Sequence, residues 1–257
     1  MKGRIWLIGG TSESVSLAQL LANFHIPCII TVTTPPAATL YPQTPLLKIL
    51  VGKLDLSALK VFLETETIVA VVDASHPYAV AISQGAIAAT TSSHIPYLRY
   101  ERPIITDNTQ GVIYLDNFEL LLQNNYLLNQ RVLLTIGYKM LPLFQSWHNR
   151  CTLFTRILPS ITSLEIALNS GFSPDKIIAL RPPFTTNLEQ ALWQQWQISL
   201  VVTKASGNAG GENIKRSVAN TLGIPLIIIT RPQITYPKKT ENLNDVIQFC
   251  LLVMSQM

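Results

Sequence analysis

Three cysteines in 257 residues, Cys28, Cys151 and Cys250, are too few and too far apart to staple a fold. No CxxC pair and no neighbouring His gives the spacing of a structural metal site, so a reduced, cytoplasmic setting without a protein-bound metal is expected. Charge is sparse as well. Asp, Glu, Lys and Arg make up 13% of the chain, and the net charge of +4 is not gathered into a basic run. That excludes a nucleic-acid stripe and suits a small anionic ligand. Long apolar runs are missing: each stops at Gly, Pro, Asp or Lys well short of the roughly 20 residues of a spanning helix, so no membrane contact is expected. The opening MKGRIWLIGGTSES carries no small-residue cleavage site and reads as a first strand. GxGxxG, the P-loop pattern and the YxxxK pair of short-chain reductases are all absent, Tyr138 and Lys139 being adjacent.

Hydrophobic residues make up 48% of the chain, in short runs that alternate with helical patterns. RIWLIG, PCIITVT, LLKILVG and IVAVVD are apolar throughout, as strands buried on both faces are, and the same alternation resumes with VIYL, RVLLTIG, TLFTRIL, KIIALR, SLVVTK and PLIIITRP. The expectation is an α/β protein of two Rossmann-like domains, 1–108 and 109–257, with mainly parallel sheets. The boundary is placed near Asn108, and the last helix, from Asn242 to Met254, is expected to dock on the second sheet.

Candidate sites gather where strands end. Gly9, Gly10, Thr11 and Ser12 stand between the first strand and its helix, where backbone N–H groups and the helix dipole suit a phosphate; a tight turn with Thr11 or Ser12 as helix cap is the alternative. Thr33 and Thr34 end the second strand, where an NAD-selective site places an acid. The hydroxyls there tolerate a 2′-phosphate and favour NADPH, with NADH left open. DASHPYA packs Asp73, Ser75, His76, Pro77 and Tyr78 into one turn, a place for a ligand contact or a proton donor. Lys139 and Arg156 at later strand ends suit carboxylates or phosphates. In VVTKASGNAGGENIK, Lys204, Ser206, Gly207, Gly210 and Gly211 precede a helix, and their glycine amides are expected to cradle an anion.

IGGTSES, DASHPYA, YLRYERP, LLTIGYK, TRILP, TKASGNAGGENIK and LGIPLIIITRP, in that order, resemble the precorrin-6A reductase family over nearly the whole chain. The resemblance implies a two-domain enzyme with an interdomain cleft and hydride transfer from NAD(P)H to one double bond of a tetrapyrrole, precorrin-6A or its cobalt complex, giving the 6B form in cobalamin biosynthesis. It places the nicotinamide cofactor at Gly9, Gly10, Thr11, Ser12 and Glu13, with Thr33 and the Ser75 turn nearby. It sets Lys139 and the Lys204 segment against the macrocycle or the distal part of the cofactor. His76 and Tyr78 are the candidate proton donors. One departure is Arg181-Pro182-Pro183-Phe184, where the family often has Gly before Pro-Phe; Pro182 removes a backbone N–H and glycine's freedom there. A non-catalytic dinucleotide or tetrapyrrole sensor, a different NAD(P)-dependent reductase and an S-adenosylmethionine enzyme are the rival readings, separated by turnover and by cofactor binding.

Overall fold

The apolar runs are strands in the computed structural model, which describes residues 3–106 and 110–256. The chain begins β1 (Arg4–Ile8), α1 (Ser12–Asn23), β2 (Cys28–Val32), α2 (Pro35–Ala38), β3 (Leu47–Val51), α3 (Leu59–Thr65), β4 (Ile68–Asp73), α4 (Val80–Ser92) and β5 (Tyr97–Tyr100). It continues with β6 (Val112–Leu115), α5 (Phe118–Gln123), β7 (Arg131–Thr135), β8 (Thr152–Ile157), α6 (Ile161–Asn169), β9 (Ile177–Ala179), α7 (Thr186–Gln195), β10 (Leu200–Lys204), α8 (Glu212–Leu222) and β11 (Leu226–Ile229). β12 (Lys239–Thr240) and α9 (Leu243–Ser255) follow.

Two six-stranded sheets result, ordered β12-β5-β4-β1-β2-β3 and β6-β11-β10-β7-β8-β9, and every strand pairing among the described residues is parallel. Both follow one plan. Counted outward, β3-β2-β1-β4-β5 and β9-β8-β7-β10-β11 are the 3-2-1-4-5 order of a doubly wound nucleotide fold. The sixth place goes to β12 in the first sheet and to β6 in the second. The strand order reverses between β1 and β4, and again between β7 and β10; such switch points open a crevice at the strands' carboxyl ends.

Side-chain alternation divides the first sheet's core. Ile5, Leu7, Cys28 and Ile30 face α1 and α9, while Trp6, Ile8, Ile29 and Val71 pack with Leu59, Leu63 and Ala86 on the other face. α1 fits its face because Ser14, Leu17, Ala18 and Leu21 recur at helical spacing and are all buried. Burying Leu17 and Leu21 contributes about 1.5–3 kcal/mol each.

The chain divides into two units, Met1–Pro103 with Gln233–Met257, and Ile104–Pro232. This corrects the placing of the closing segment. β12 pairs with β5, and Val246, Ile247 and Cys250 of α9 enter the first unit's core, so the last helix docks on the first sheet. The physical reason is the open edge of β5, where the N–H groups of Arg99 and of Glu101 just after the strand find Lys238 and Thr240 carbonyls, whereas β6 already covers the edge beyond β11. Asn108, the expected boundary, lies outside the described residues. No helix among the described residues is long and apolar enough to cross a membrane.

Candidate active site

At the β1/β4 switch point two turns are tied together: Ala74 N–H donates to Ile8 C=O at 3.1 Å, and Thr11 Oγ1 donates to Ala74 C=O at 2.8 Å. Thr11 also caps α1. Its extended backbone and a reciprocal pair of bonds with Ser14 form a capping box in which serine stands in for the usual Glu or Gln. The cap takes the Ser14 amide, while no hydrogen bond within the described residues takes those of Ser12 and Glu13 at the positive end of the helix. Gly10, at φ +97°, has open space where a side chain would stand. Thr33 is exposed at the end of β2, with no acid there to repel a 2′-phosphate. An open backbone at a helix N-terminus with hydroxyls beyond β2 fits a phosphorylated dinucleotide.

Gly9 serves a different purpose from the close ligand approach expected of it. A Cβ there would collide with the Tyr41 hydroxyl, which accepts from Gly10 N–H at 2.8 Å and lies 2.6 Å from Ser14 Oγ. Burial raises the Tyr41 pKa, keeping the phenol neutral. Tyr41 therefore shapes the turn from beneath. Glu13 carries its charge beside the helix N-terminus but is held by Arg102 in a two-armed pair, 2.7 and 2.9 Å.

Beneath DASHPYA lies a buried network. Asp73 accepts from Ser75 N–H (2.9 Å) and Arg99 Nη1 (2.8 Å) on one oxygen, and from Ser83 Oγ and Tyr97 Oη (both 2.6 Å) on the other. Arg99 also reaches Ser75 Oγ and Glu101, and stands over the Tyr236 ring. Burial opposes the Arg99 charge, but Asp73 and Glu101 outweigh it and hold the guanidinium protonated. The network fixes the turn that presents His76. The imidazole is exposed, its Nδ1 accepting from Tyr78 N–H at 3.3 Å, so a neutral ring carries its proton on Nε2. The two rings are 5.7 Å apart, with Tyr78 half-buried.

At the β7/β10 switch point Lys204 ends β10, half-buried and 5.8 Å from the Phe118 ring centroid. Burial, then the neighbouring charge of Lys139, pushes its pKa down to about 8. Lys139 is exposed just after Gly137. Two expectations for this half are corrected. The glycine amides do not form an empty cradle: Gly207 N–H donates to Glu212 Oε2 (2.8 Å), Gly210 N–H to Gly207 C=O (3.1 Å) and Gly211 N–H to Asn208 C=O (2.9 Å). The glycines set the loop's shape instead. Gly207 and Gly211 take positive φ, and a Cβ on Gly210 would collide with buried Ser206. Arg156, expected to meet a ligand anion, is buried against Phe184 and paired with Glu189.

Sequence reasoning missed Tyr41, Arg99, Glu189, Glu212, Lys215 and Arg216. The last group had one local signal, the Glu212–Arg216 pair at helical spacing, an ion pair of 2.8 Å. Tyr41 had none and Arg99 only its neighbour Glu101, because their other partners lie far away in sequence.

Two doubly wound parallel sheets, one with a phosphate-ready helix terminus at its switch point and the other with paired lysines there, define a two-unit Rossmann-like α/β enzyme. The chain belongs to the precorrin-6x reductase CbiJ/CobK family, which it matches over residues 4–251. It is similar to the cobalt-precorrin-6A reductase of Synechocystis sp., at 44% identity over 248 residues, covering 96% of this chain and 95% of that one. The cobalt-precorrin-6A reductase of Priestia megaterium is 30% identical over 246 residues, covering 95% and 96%. A solved structure of CobK precorrin-6A reductase has the same fold, with a TM-score of 0.79 and 24% identity over 98% of this chain and 97% of that one. The ordered motifs thus pointed to the right family, and with it to a reductase acting on precorrin-6A in cobalamin biosynthesis.

Proposed function

We propose that the chain reduces cobalt-precorrin-6A with NADPH, binding the dinucleotide at the β1/β4 switch point and the macrocycle's carboxylate arms at Lys139 and Lys204. The difference in chemistry between the two switch points carries this reading. One offers helix amides and hydroxyls to phosphates; the other offers two ammonium groups to carboxylates. The cobalt form is favoured by the names of the two relatives cited above.

NADPH bound there supplies the hydride for one carbon of the reduced double bond. The other carbon needs a proton, for which exposed His76, on the turn steadied by the Asp73 network, is the donor when its ring carries a second proton. Ser12 and Glu13 amides hold phosphate, Thr33 accommodates the 2′-phosphate, and Arg102 cancels the Glu13 charge that would repel it. The test is anaerobic oxidation of NADPH and NADH with precorrin-6A and with its cobalt complex, read at the nicotinamide and tetrapyrrole bands. Turnover is expected to be fastest with NADPH and the cobalt form, and tight dinucleotide binding without any turnover would favour the sensor reading. In the same assay, His76→Ala with unchanged kcat and pH profile would assign the proton to solvent.

Lys204 gives this reading a pH signature. Its pKa of about 8 leaves it charged at neutral pH and neutral above, so kcat/KM for the tetrapyrrole is expected to fall as pH rises through about 8. Lys204→Arg keeps its charge throughout and should remove that fall. A fall of the same size in Lys204→Arg would take the carboxylate contact away from Lys204.

A further inference from the structure

Lys215, on the first turn of α8, is 3% exposed, yet its Nζ reaches outward to the carbonyls of Gly210 (2.9 Å) and Gly211 (3.1 Å). Those two residues lie near the surface, where water can serve their carbonyls. Burying the ammonium is costly for the fold. Burial, and secondly the Arg156 charge, push its pKa down to about 8 against the opposing pull of Glu189 and Glu212. The sign follows: the folded pKa lies below the unfolded value, so the protonated form is disfavoured in the fold, and stability rises with pH between about 8 and the usual lysine range. Arg156, Lys215 and Arg216 also set three cations against the carboxylates of Glu189 and Glu212, and removing Lys215 would leave two of each. Stability alone does not account for a lysine here. Its charge is disfavoured by burial and by Arg156, and without it the Arg156–Glu189 and Arg216–Glu212 pairs remain matched.

The loop above it explains the lysine. α8 starts at left-handed Gly211 with no side-chain cap, so the turn lacks the usual device that fixes a helix start. Two side chains from the helix do that work: Glu212 holds the Gly207 amide, and Lys215 holds the two carbonyls that follow. We propose that Lys215 is a positioning residue for tetrapyrrole binding, its Nζ holding the Gly210–Gly211 turn in the shape that the 204–211 segment presents to the macrocycle. The proposal rests on the reading of that segment as the tetrapyrrole site. An amine still donates two hydrogen bonds, so the turn keeps its shape when Lys215 loses its proton, and the pH signature of Lys204 stands apart from it.

The test is Lys215→Met, compared with wild type in thermal melts, NADPH titration and steady-state reduction of cobalt-precorrin-6A. The expected result is an unchanged or higher Tm, unchanged NADPH affinity and a tetrapyrrole KM raised about tenfold or more, since small misplacements of a binding loop are expensive. An unmoved KM in the folded variant overturns the proposal. So does a fall in Tm with equal loss of both ligands, which is the pattern of a purely structural lysine. Hydrogen exchange in wild-type protein covers the case of a variant that does not fold. Exchange across residues 206–211 is expected to slow when the tetrapyrrole is added, and an unchanged rate there overturns the proposal too. Absence of wild-type turnover sinks the substrate reading and this inference together; wild-type turnover with an unmoved Lys215→Met KM sinks the inference alone.

Discussion

Asp73→Ala is expected to lower the unfolding temperature of the first unit by roughly 6–20 °C and to abolish tight dinucleotide binding. The size follows from what the carboxylate holds. Four donors converge on its two oxygens, one of them the guanidinium of Arg99, which is 1% exposed. Removing one partner of a buried ion pair costs about 3–5 kcal/mol, because the remaining charge stays buried. Glu101 keeps one contact to Arg99, so the loss should sit towards the low end of that range. The Ser83 and Tyr97 hydroxyls also lose their acceptor, and an unsatisfied buried hydroxyl costs about 1–3 kcal/mol. The binding loss follows from geometry: Ser75 N–H is released, and with it the turn that meets Thr11 through Ala74. Because the chain has two units, a single melt can mix two transitions. Hydrogen exchange over β4, β5 and residues 233–240, with dinucleotide titration, isolates the effect. An unchanged Tm with intact binding would show that the Asp73 network does not hold the turn.

How far the sequence could be read depends on where each interaction partner lies. The strands, the glycine turn after β1 and the polar turn after β4 were legible because their signals are local: apolar runs ending in Gly, Thr and Asp at strand ends. Two mainly parallel sheets were legible in the repeated strand–helix alternation, whereas their shared strand order had no local signal. The return of the chain to the first sheet was not legible. β12 is two residues, Lys239 and Thr240, with no apolar pattern, and α9 has a buried stripe that any sheet could accept. What decides is the open edge of β5, a property of the assembled sheet.

The site was half legible for the same reason. Residue types at strand ends marked Gly10, Thr11, His76 and Lys204 as candidates, but no local rule says whether a glycine amide or an arginine is already in use. Glu212, five residues after Gly207, fills the expected cradle; Glu189, in a different helix, takes Arg156. Motif reasoning counts donors, whereas the fold decides which of them have partners.

That distinction sets the second large expectation. Gly210→Ala is expected to lower kcat/KM for the tetrapyrrole on the order of 10²-fold, the cost of displacing a binding group by about 1 Å. The new methyl would collide with both Oγ and Cβ of Ser206, and the Cβ cannot rotate away, so the backbone of the loop must shift. Ser206 is buried and lies two residues from Lys204, so the shift moves the segment that carries the ammonium. Gly223→Ala is the matched control. It ends α8 at φ +65° with nothing within 4 Å of the added carbon, so it should cost about 1 kcal/mol of stability and leave turnover unchanged. Steady-state kinetics on the two variants, each with its melting curve, separates loop shape from helix termination. Equal activity in both would mean that the Ser206–Gly211 loop does not meet the substrate, while loss in Gly210→Ala alone ties catalysis to the shape of a turn whose glycine amides are already spent.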